Sequence, residues 1–245
     1  MLRTPEEKSE ILSRLSPSQH LPGVVPADMI SMLMEVYHNS PKNKKPTGPI
    51  TVDYYPRPES LAERGETLAE WWLKVDEFIT PYIGEHNTFT TNFFEVTIPH
   101  ILHNDDSVLL KPRLHKTIVI PLEIIKPSNF AVFDQCYLDG PVKLRHGGQF
   151  GGKTHDKPVV YYNNDLLDNC ELEFYTGQDF DPDVHAKYFT HMPYRRFHGL
   201  SVESIMPWKP GDMIIFDTAR IHCAADFTAQ GIDKKIGFSI FTSLK

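Results

Sequence analysis

The sequence predicts a mainly β fold with N-terminal helices, a jelly roll buttressed by helical segments. Two observations carry this expectation. Before Gly84 the apolar residues recur at helical spacing; after it the chain turns to β-branched and aromatic runs separated by turn signals. About eight such runs follow, and eight antiparallel strands in two sheets make a jelly roll. A chain of 245 residues, 40% hydrophobic and 23% charged, fits one globular domain with a sizeable core. The expected organisation is a single domain over 1–245. Residues 1–86 form a helical N-terminal support and 87–245 a jelly-roll core, with a long middle insertion at about 126–200.

In chain order, residues 4–15 open with a capping threonine, a proline at the first helical position and acidic residues in the first turn, which predicts a short helix. Residues 26–37 carry apolar side chains at helical spacing and form a second; their methionines are core filler. Residues 39–49 hold three prolines, a glycine and three lysines and read as a solvated loop. Residues 60–83, with Ser60 and Glu63 as a capping pair, predict the longest helix. Its adjacent Trp71 and Trp72 cannot both face one core, so one packs on the sheet and the other is half exposed or covered by the helices. The strand candidates are 88–98, 116–125, 129–137, 159–162, 171–175, 200–206, 212–217 and 235–242.

The chemistry concentrates in two stretches. In an extended segment residues i and i+2 point the same way, so in His103-x-Asp105 one imidazole and one carboxylate converge. Asp106, the neighbour, would point away from that face. His222 follows 117 residues after Asp105, in a polar loop behind the apolar strand that Pro210-Gly211 introduces. Two histidines and one carboxylate on one face of a metal leave positions open, the arrangement of oxygen-activating non-haem Fe(II). Lys235 opens the next apolar run, and the cation and His222 are expected on neighbouring antiparallel strands. His100, three residues before His103, is expected on the opposite side as a structural residue. Five further histidines, His115, His155, His185, His191 and His198, show no ligand spacing.

His103-x-Asp105, the run Pro210-Gly-Asp-Met-Ile-Ile-Phe-Asp ahead of His222, and Lys235-Ile-Gly-Phe-Ser together resemble the Fe(II)- and 2-oxoglutarate-dependent oxygenases, which share a double-stranded β-helix. The resemblance covers about residues 90–125 and 200–243. It implies iron held by His103, Asp105 and His222, 2-oxoglutarate as cosubstrate with O2, and hydroxylation of a small molecule or protein. Where that family commonly carries arginine this chain has Lys235, which would meet the distal carboxylate of 2-oxoglutarate; Arg220 and the Thr117 hydroxyl are further candidates for that anion. A cupin-type metal enzyme without 2-oxoglutarate, or a non-catalytic jelly-roll binding protein, would use the same barrel.

The formal net charge of −7 argues against a generally basic nucleic-acid surface. No run reaches the length of a membrane span, and the first residues lack the apolar core of a signal peptide, so a cytoplasmic location is expected. Cys136, Cys170 and Cys223 are odd in number and lack Cys-x-x-Cys spacing, which points away from a disulfide framework; Cys223 reads as a buried small hydrophobe. The middle insertion is the expected source of substrate specificity. Its glycine-rich 145–152 suits a lid, and the Arg195 and Arg196 pair between aromatic rings suits an anionic or planar ligand, although both also read as ordinary surface.

Overall fold

A computed structural model describes residues 3–44, 49–56, 65, 67–106, 113–145, 149–150, 153–154, 159–162, 165–167 and 171–245, with side chains left out at 44 and 143–167. Helix α1 (Pro5–Leu12) starts at a capping box: the Thr4 hydroxyl accepts from the Glu7 N–H, and the Glu7 carboxylate accepts from the Thr4 N–H at 2.9 Å. Helix α2 (Ala27–Asn39) follows Pro26. Helix α3 (Glu70–Ile83) is the longest among the described residues, and it stops at Gly84, where φ is 77°.

The helix expected from residue 60 thus begins at Glu70. Ala69 is extended, and its N–H donates to the Tyr54 hydroxyl at 2.9 Å, which ties the helix start to the sheet. Ser60 and Glu63 lie outside the described residues. Trp72 is buried, whereas Trp71 is partly covered, tilted against Phe93 and edge-on to Phe238. Both rings therefore join one apolar cluster, Trp72 centrally and Trp71 at its margin.

Seven strands form the larger sheet: β1 (Gln19–Leu21), β2 (Asn43–Lys44), β3 (Ile50–Tyr54), β4 (His86–Val96), β5 (Leu114–Ile124), β13 (Met213–Asp217) and β15 (Lys235–Leu244), in the order β1-β13-β5-β15-β4-β3-β2. The smaller sheet runs β12-β6-β14, from β12 (Val202–Trp208), β6 (Ser128–Cys136) and β14 (Arg220–Ala224). His103 adds itself to its edge by an antiparallel bridge to His222. The chain therefore passes from β4 to His103, to β5, to β6 and β12, to β13, to β14 and to β15, crossing repeatedly between the sheets: a double-stranded β-helix, or jelly roll.

Strand alternation sorts the larger sheet into two faces. Ile118, Ile120 and Leu122 of β5, with Ile236, Phe238 and Ile240 of β15, pack against Leu33, Trp72, Val75 and Ile79 of the helices. Val119, Ile214 and Phe216 face inward onto Phe130, Val132 and Trp208 of the smaller sheet. The helices thus buttress the barrel from outside, leaving its interior for the site.

Several expectations change. Residues 1–86 are not only helical, since they contribute β1, β2 and β3 to the larger sheet. The connection expected from residue 126 starts only after β6, which is a central strand of the smaller sheet. Beyond it lie β7 (Lys143–Arg145), β8 (Gln149–Phe150), β9 (Lys153–Thr154), β10 (Val159–Tyr162), β11 (Asp165–Leu167) and α4 (Pro182–Tyr188). The β7, β10 and β11 strands form a separate sheet, and β8 pairs with β9, so the 159–162 strand exists outside the barrel. The strand expected at 171–175 is one bridge, Cys136 to Glu173, because Phe174 adopts φ 61°, a left-handed conformation that ends extended backbone. Much of the glycine-rich 145–152, namely 146–148 and 151–152, lies outside the described residues.

Arg3 ties the first described residues to the segment that carries the site. Buried Arg3 forks onto Asp106, with Nη2 donating to Oδ1 at 2.8 Å, while Nη1 reaches Oδ2 and the Leu138 carbonyl. Removing one partner of a buried pair leaves the other charge uncompensated. Asp106→Ala is therefore expected to lower unfolding free energy by about 3–5 kcal/mol in chemical denaturation while metal affinity stays within twofold.

Candidate metal centre and cavity

His103 and Asp105 lie on the irregular segment between β4 and β5, and His222 sits at the centre of β14. Two backbone hydrogen bonds join the segments: His103 N–H to the His222 carbonyl at 3.0 Å, and His222 N–H to the His103 carbonyl at 2.8 Å. The Asp105 N–H donates to the Thr218 carbonyl at 3.2 Å. Between them Asn104 points the other way and is buried. Its carboxamide donates to the carbonyls of Tyr137 and Gly140 at 3.0 and 3.1 Å and accepts from the Val142 N–H at 2.8 Å. Asn104 thus fixes the segment from behind, so that its neighbours converge in front.

They do converge. Asp105 Oδ2 is 3.3 Å from His222 Nε2, Asp105 Oδ1 is 3.8 Å from His103 Nε2, and one donor atom from each residue lies within 4.8 Å of the other two. Both rings are oriented by their far nitrogens: His103 Nδ1 sits 2.7 Å from the Ile101 carbonyl and His222 Nδ1 is 3.0 Å from the Arg220 carbonyl. A carbonyl only accepts, so each Nδ1 carries a proton and each Nε2 is turned toward Asp105. Burial pushes the His103 imidazole down to about 3, the His222 ring adding to the effect against the pull of Asp105. Burial alone would raise the Asp105 carboxyl, but His222 and His103 together hold it below the usual carboxylate range. A His103 imidazole held neutral and an Asp105 carboxylate held ionised are in the states that bind a divalent metal.

The three residues open on a cavity between the two sheets, with about 660 Å³ of unfilled space including its mouth. Phe94 and Val119 from the larger sheet and Phe130 and Trp208 from the smaller one make its walls apolar. Lys235, 3% exposed, lines the same space. Its Nζ lies 4.4 Å from the centre of the Trp208 ring and 5.1 Å from that of Phe227, and no carboxylate among the described residues is paired with it. Burial pulls its ammonium down to about 7. Gly237, two residues on, keeps the space open, since a Cβ there would fall 2.5 Å from Phe94 Cζ and 2.9 Å from Trp208 Cζ2.

No protein-family model matches the sequence, and no curated protein matches it. Among solved structures, the non-haem alpha-ketoglutarate-dependent epimerase SnoN from nogalamycin biosynthesis is similar at 11% identity and a TM-score of 0.48, over 98% of this chain and 83% of that one. HygX from Streptomyces hygroscopicus, solved with nickel and 2-oxoglutarate, is similar at 12% identity and 0.45, over 99% and 87%. A Pseudomonas putida prolyl-4-hydroxylase follows at 9% and 0.41, over 98% and 99%. At such TM-scores the likeness decides nothing about this chain's chemistry, which must come from its own side chains.

Other expected residues are placed differently. His222 is on a strand of its own in the smaller sheet, and Lys235 is on β15 of the larger, so the two face each other across the cavity instead of lying on adjacent strands. Thr117 is buried, with its hydroxyl 3.3 Å from that of Thr218, and is not among the residues lining the cavity. Neither is Arg220: a bulge in β14 separates it from His222, and its guanidinium reaches the Phe133 and Asp134 carbonyls, Glu203 and Asp217. His100 does line the cavity, with its ring 5.3 Å from that of His103, because the segment is not a strand and three residues do not reverse its side chains. Tyr194–Phe197 is a single 3-10 turn, and neither Arg195 nor Arg196 lines the cavity. Asn104, Trp208 and Phe227 escaped the sequence reading; Asn104 alone had a signal, its place between two residues that share a face.

No helix among the described residues is long and apolar enough to cross a membrane.

Proposed function

We propose that this cavity is the catalytic site of a non-haem Fe(II)- and 2-oxoglutarate-dependent oxygenase that hydroxylates a small-molecule or protein substrate. The observation that carries this reading is the presence, in one cavity, of an open three-donor face and a buried lysine with no carboxylate partner among the described residues. His103, Asp105 and His222 would hold the iron, two nitrogens and one carboxylate being the set suited to it. Iron so held, with 2-oxoglutarate and O2, supplies the power to oxidise a C–H bond that no side chain here possesses.

The protein's own residues provide the rest. The Ile101 and Arg220 carbonyls keep both imidazoles turned with Nε2 inward. Lys235 takes the distal carboxylate of 2-oxoglutarate as a point charge, steadied by Trp208 and Phe227, and Ser239, lining the same cavity, gives the hydroxyl that a lysine needs to orient it. The apolar walls keep water away and strengthen both attractions. A metal site that dispensed with 2-oxoglutarate would leave Lys235 buried without purpose, which disfavours that reading.

The test is anaerobic calorimetry of 2-oxoglutarate binding to the Mn(II)-loaded protein in buffers of different ionisation enthalpy. With the Lys235 ammonium near 7 when empty and restored when paired, binding at pH 8 is expected to take up close to one proton. Affinity is expected to fall about tenfold per pH unit above 7, until the raised value in the complex is reached. Cys223 and His191 are the titratable neighbours coupled to Lys235, and neither is an anion at that pH. Binding without proton uptake would remove Lys235 from this role, and absence of metal-dependent binding would remove 2-oxoglutarate.

A further inference from the structure

The larger sheet extends past the smaller one, and β3 and β2 lie beyond β4 at its edge. Cross-strand partners share a face. Val52 and Phe93 pair and both join the helix-side core, so the next pair, Asp53 and Asn92, faces the cavity side. Asn92 lines the cavity with Phe94 and Phe241. Its Nδ2 donates to Asp53 Oδ1, and Asn43 Nδ2 donates to Oδ2 at 3.2 Å. A carboxylate offers about four acceptor positions, and here two are filled by neutral amides. Asp53 is exposed, and no lysine or arginine pairs with it among the described residues.

The charges of the site decide what that carboxylate is for. On the functional reading above, Fe(II) and the 2-oxoglutarate dianion cancel, as do Asp105 and Lys235. Asp53 is then a carboxylate with no cationic partner among the described residues, paired with the cavity-lining Asn92 and close to the apolar Phe94 and Phe241. We propose that Asp53, set by Asn43 and Asn92, anchors a cationic group of the primary substrate, an ammonium or guanidinium, while an apolar portion reaches past Phe94 and Phe241 toward the three metal-binding side chains. The substrate class is thus an amine or guanidine with an apolar reacting end. The anchor depends on the functional reading for what is oxidised, and not for what binds.

The experiment compares hexylamine, hexanol and hexanoate by calorimetry, on the metal-free protein and on the Mn(II) and 2-oxoglutarate complex, in the parent and in Asp53→Asn. The parent is expected to bind the amine about fivefold or more tighter than the alcohol, and in the Mn(II) and 2-oxoglutarate complex, where Lys235 is occupied, hexanoate weakest. In Asp53→Asn, checked for folding by thermal melting, the amine and alcohol should bind equally. Equal binding in the parent, or an amine preference that survives Asp53→Asn, overturns the anchor. A parent that takes neither metal nor 2-oxoglutarate overturns the functional reading instead, and the amine preference of the metal-free protein still decides the anchor.

Discussion

Replacing Asp105 by alanine is expected to weaken divalent metal binding by more than about 100-fold, since loss of even an outer partner of a ligand commonly costs 10- to 100-fold. Loss of metal must be separated from loss of fold, and the metal-dependent rise in melting temperature makes that possible. In the metal-free protein Asp105 is a carboxylate taken out of water, with the His103 and His222 imidazoles beside it. The folded protein holds this carboxyl below its usual range, so the ionised form contributes stability at neutral pH and the metal-free melting temperature of the variant should fall modestly. For the parent, metal at 100 times its Kd should stabilise by about 2.7 kcal/mol, or about 5 to 10 °C for a chain of this size. In Asp105→Ala that rise should vanish. A variant that keeps the metal-dependent rise would remove Asp105 from the metal site.

The second large effect is at Lys235. Lys235→Met keeps the length of the side chain against Trp208 and Phe227 and removes the charge. It is expected to weaken 2-oxoglutarate by about 30-fold or more, from the 2 kcal/mol or more lost when one partner of a buried charge pair is removed, with metal affinity unchanged. It should also stabilise the empty protein. The folded ammonium sits near 7 against an ordinary 10.5, so between those values the unfolded chain holds more protons and parental stability rises with pH. Below 7 the penalty is complete, and the methionine variant should be ahead by its largest margin. That margin should shrink steadily as pH rises from 7 to 10.5. A pH-independent difference between the two melting curves would contradict a buried, desolvated Lys235.

What the sequence disclosed and what it withheld divide along physical lines. Alternation and apolar runs located β4, β5, β6, β12, β13 and β15 within a few residues, because each is either seven residues or longer or, like β13, a continuous apolar run behind a turn signal. Strand β14 was hidden: Arg220–Ala224 follows β13 after two residues, and its Arg220 and His222 break the apolar run that marks β13. Missing it placed His222 in a loop and, in turn, beside Lys235 instead of opposite. Strand β1 is three residues at a sheet edge, too short for any periodicity. That His103, Asp105 and His222 meet was legible from residue type and spacing. The fate of Arg220 was not, since the bulge that turns it onto the β6 carbonyls depends on pairing between distant segments. The isolation of Lys235 from carboxylates among the described residues was equally invisible, as it follows from which side chains the two sheets bring together.

Anomalous diffraction from crystals soaked anaerobically with Mn(II) and 2-oxoglutarate tests the centre most directly. One peak is expected within bonding distance of His103 Nε2, an Asp105 oxygen and His222 Nε2, with a ligand carboxylate beside Lys235 Nζ. A peak elsewhere in the barrel, or full soaking that leaves these three side chains without metal, would contradict the account.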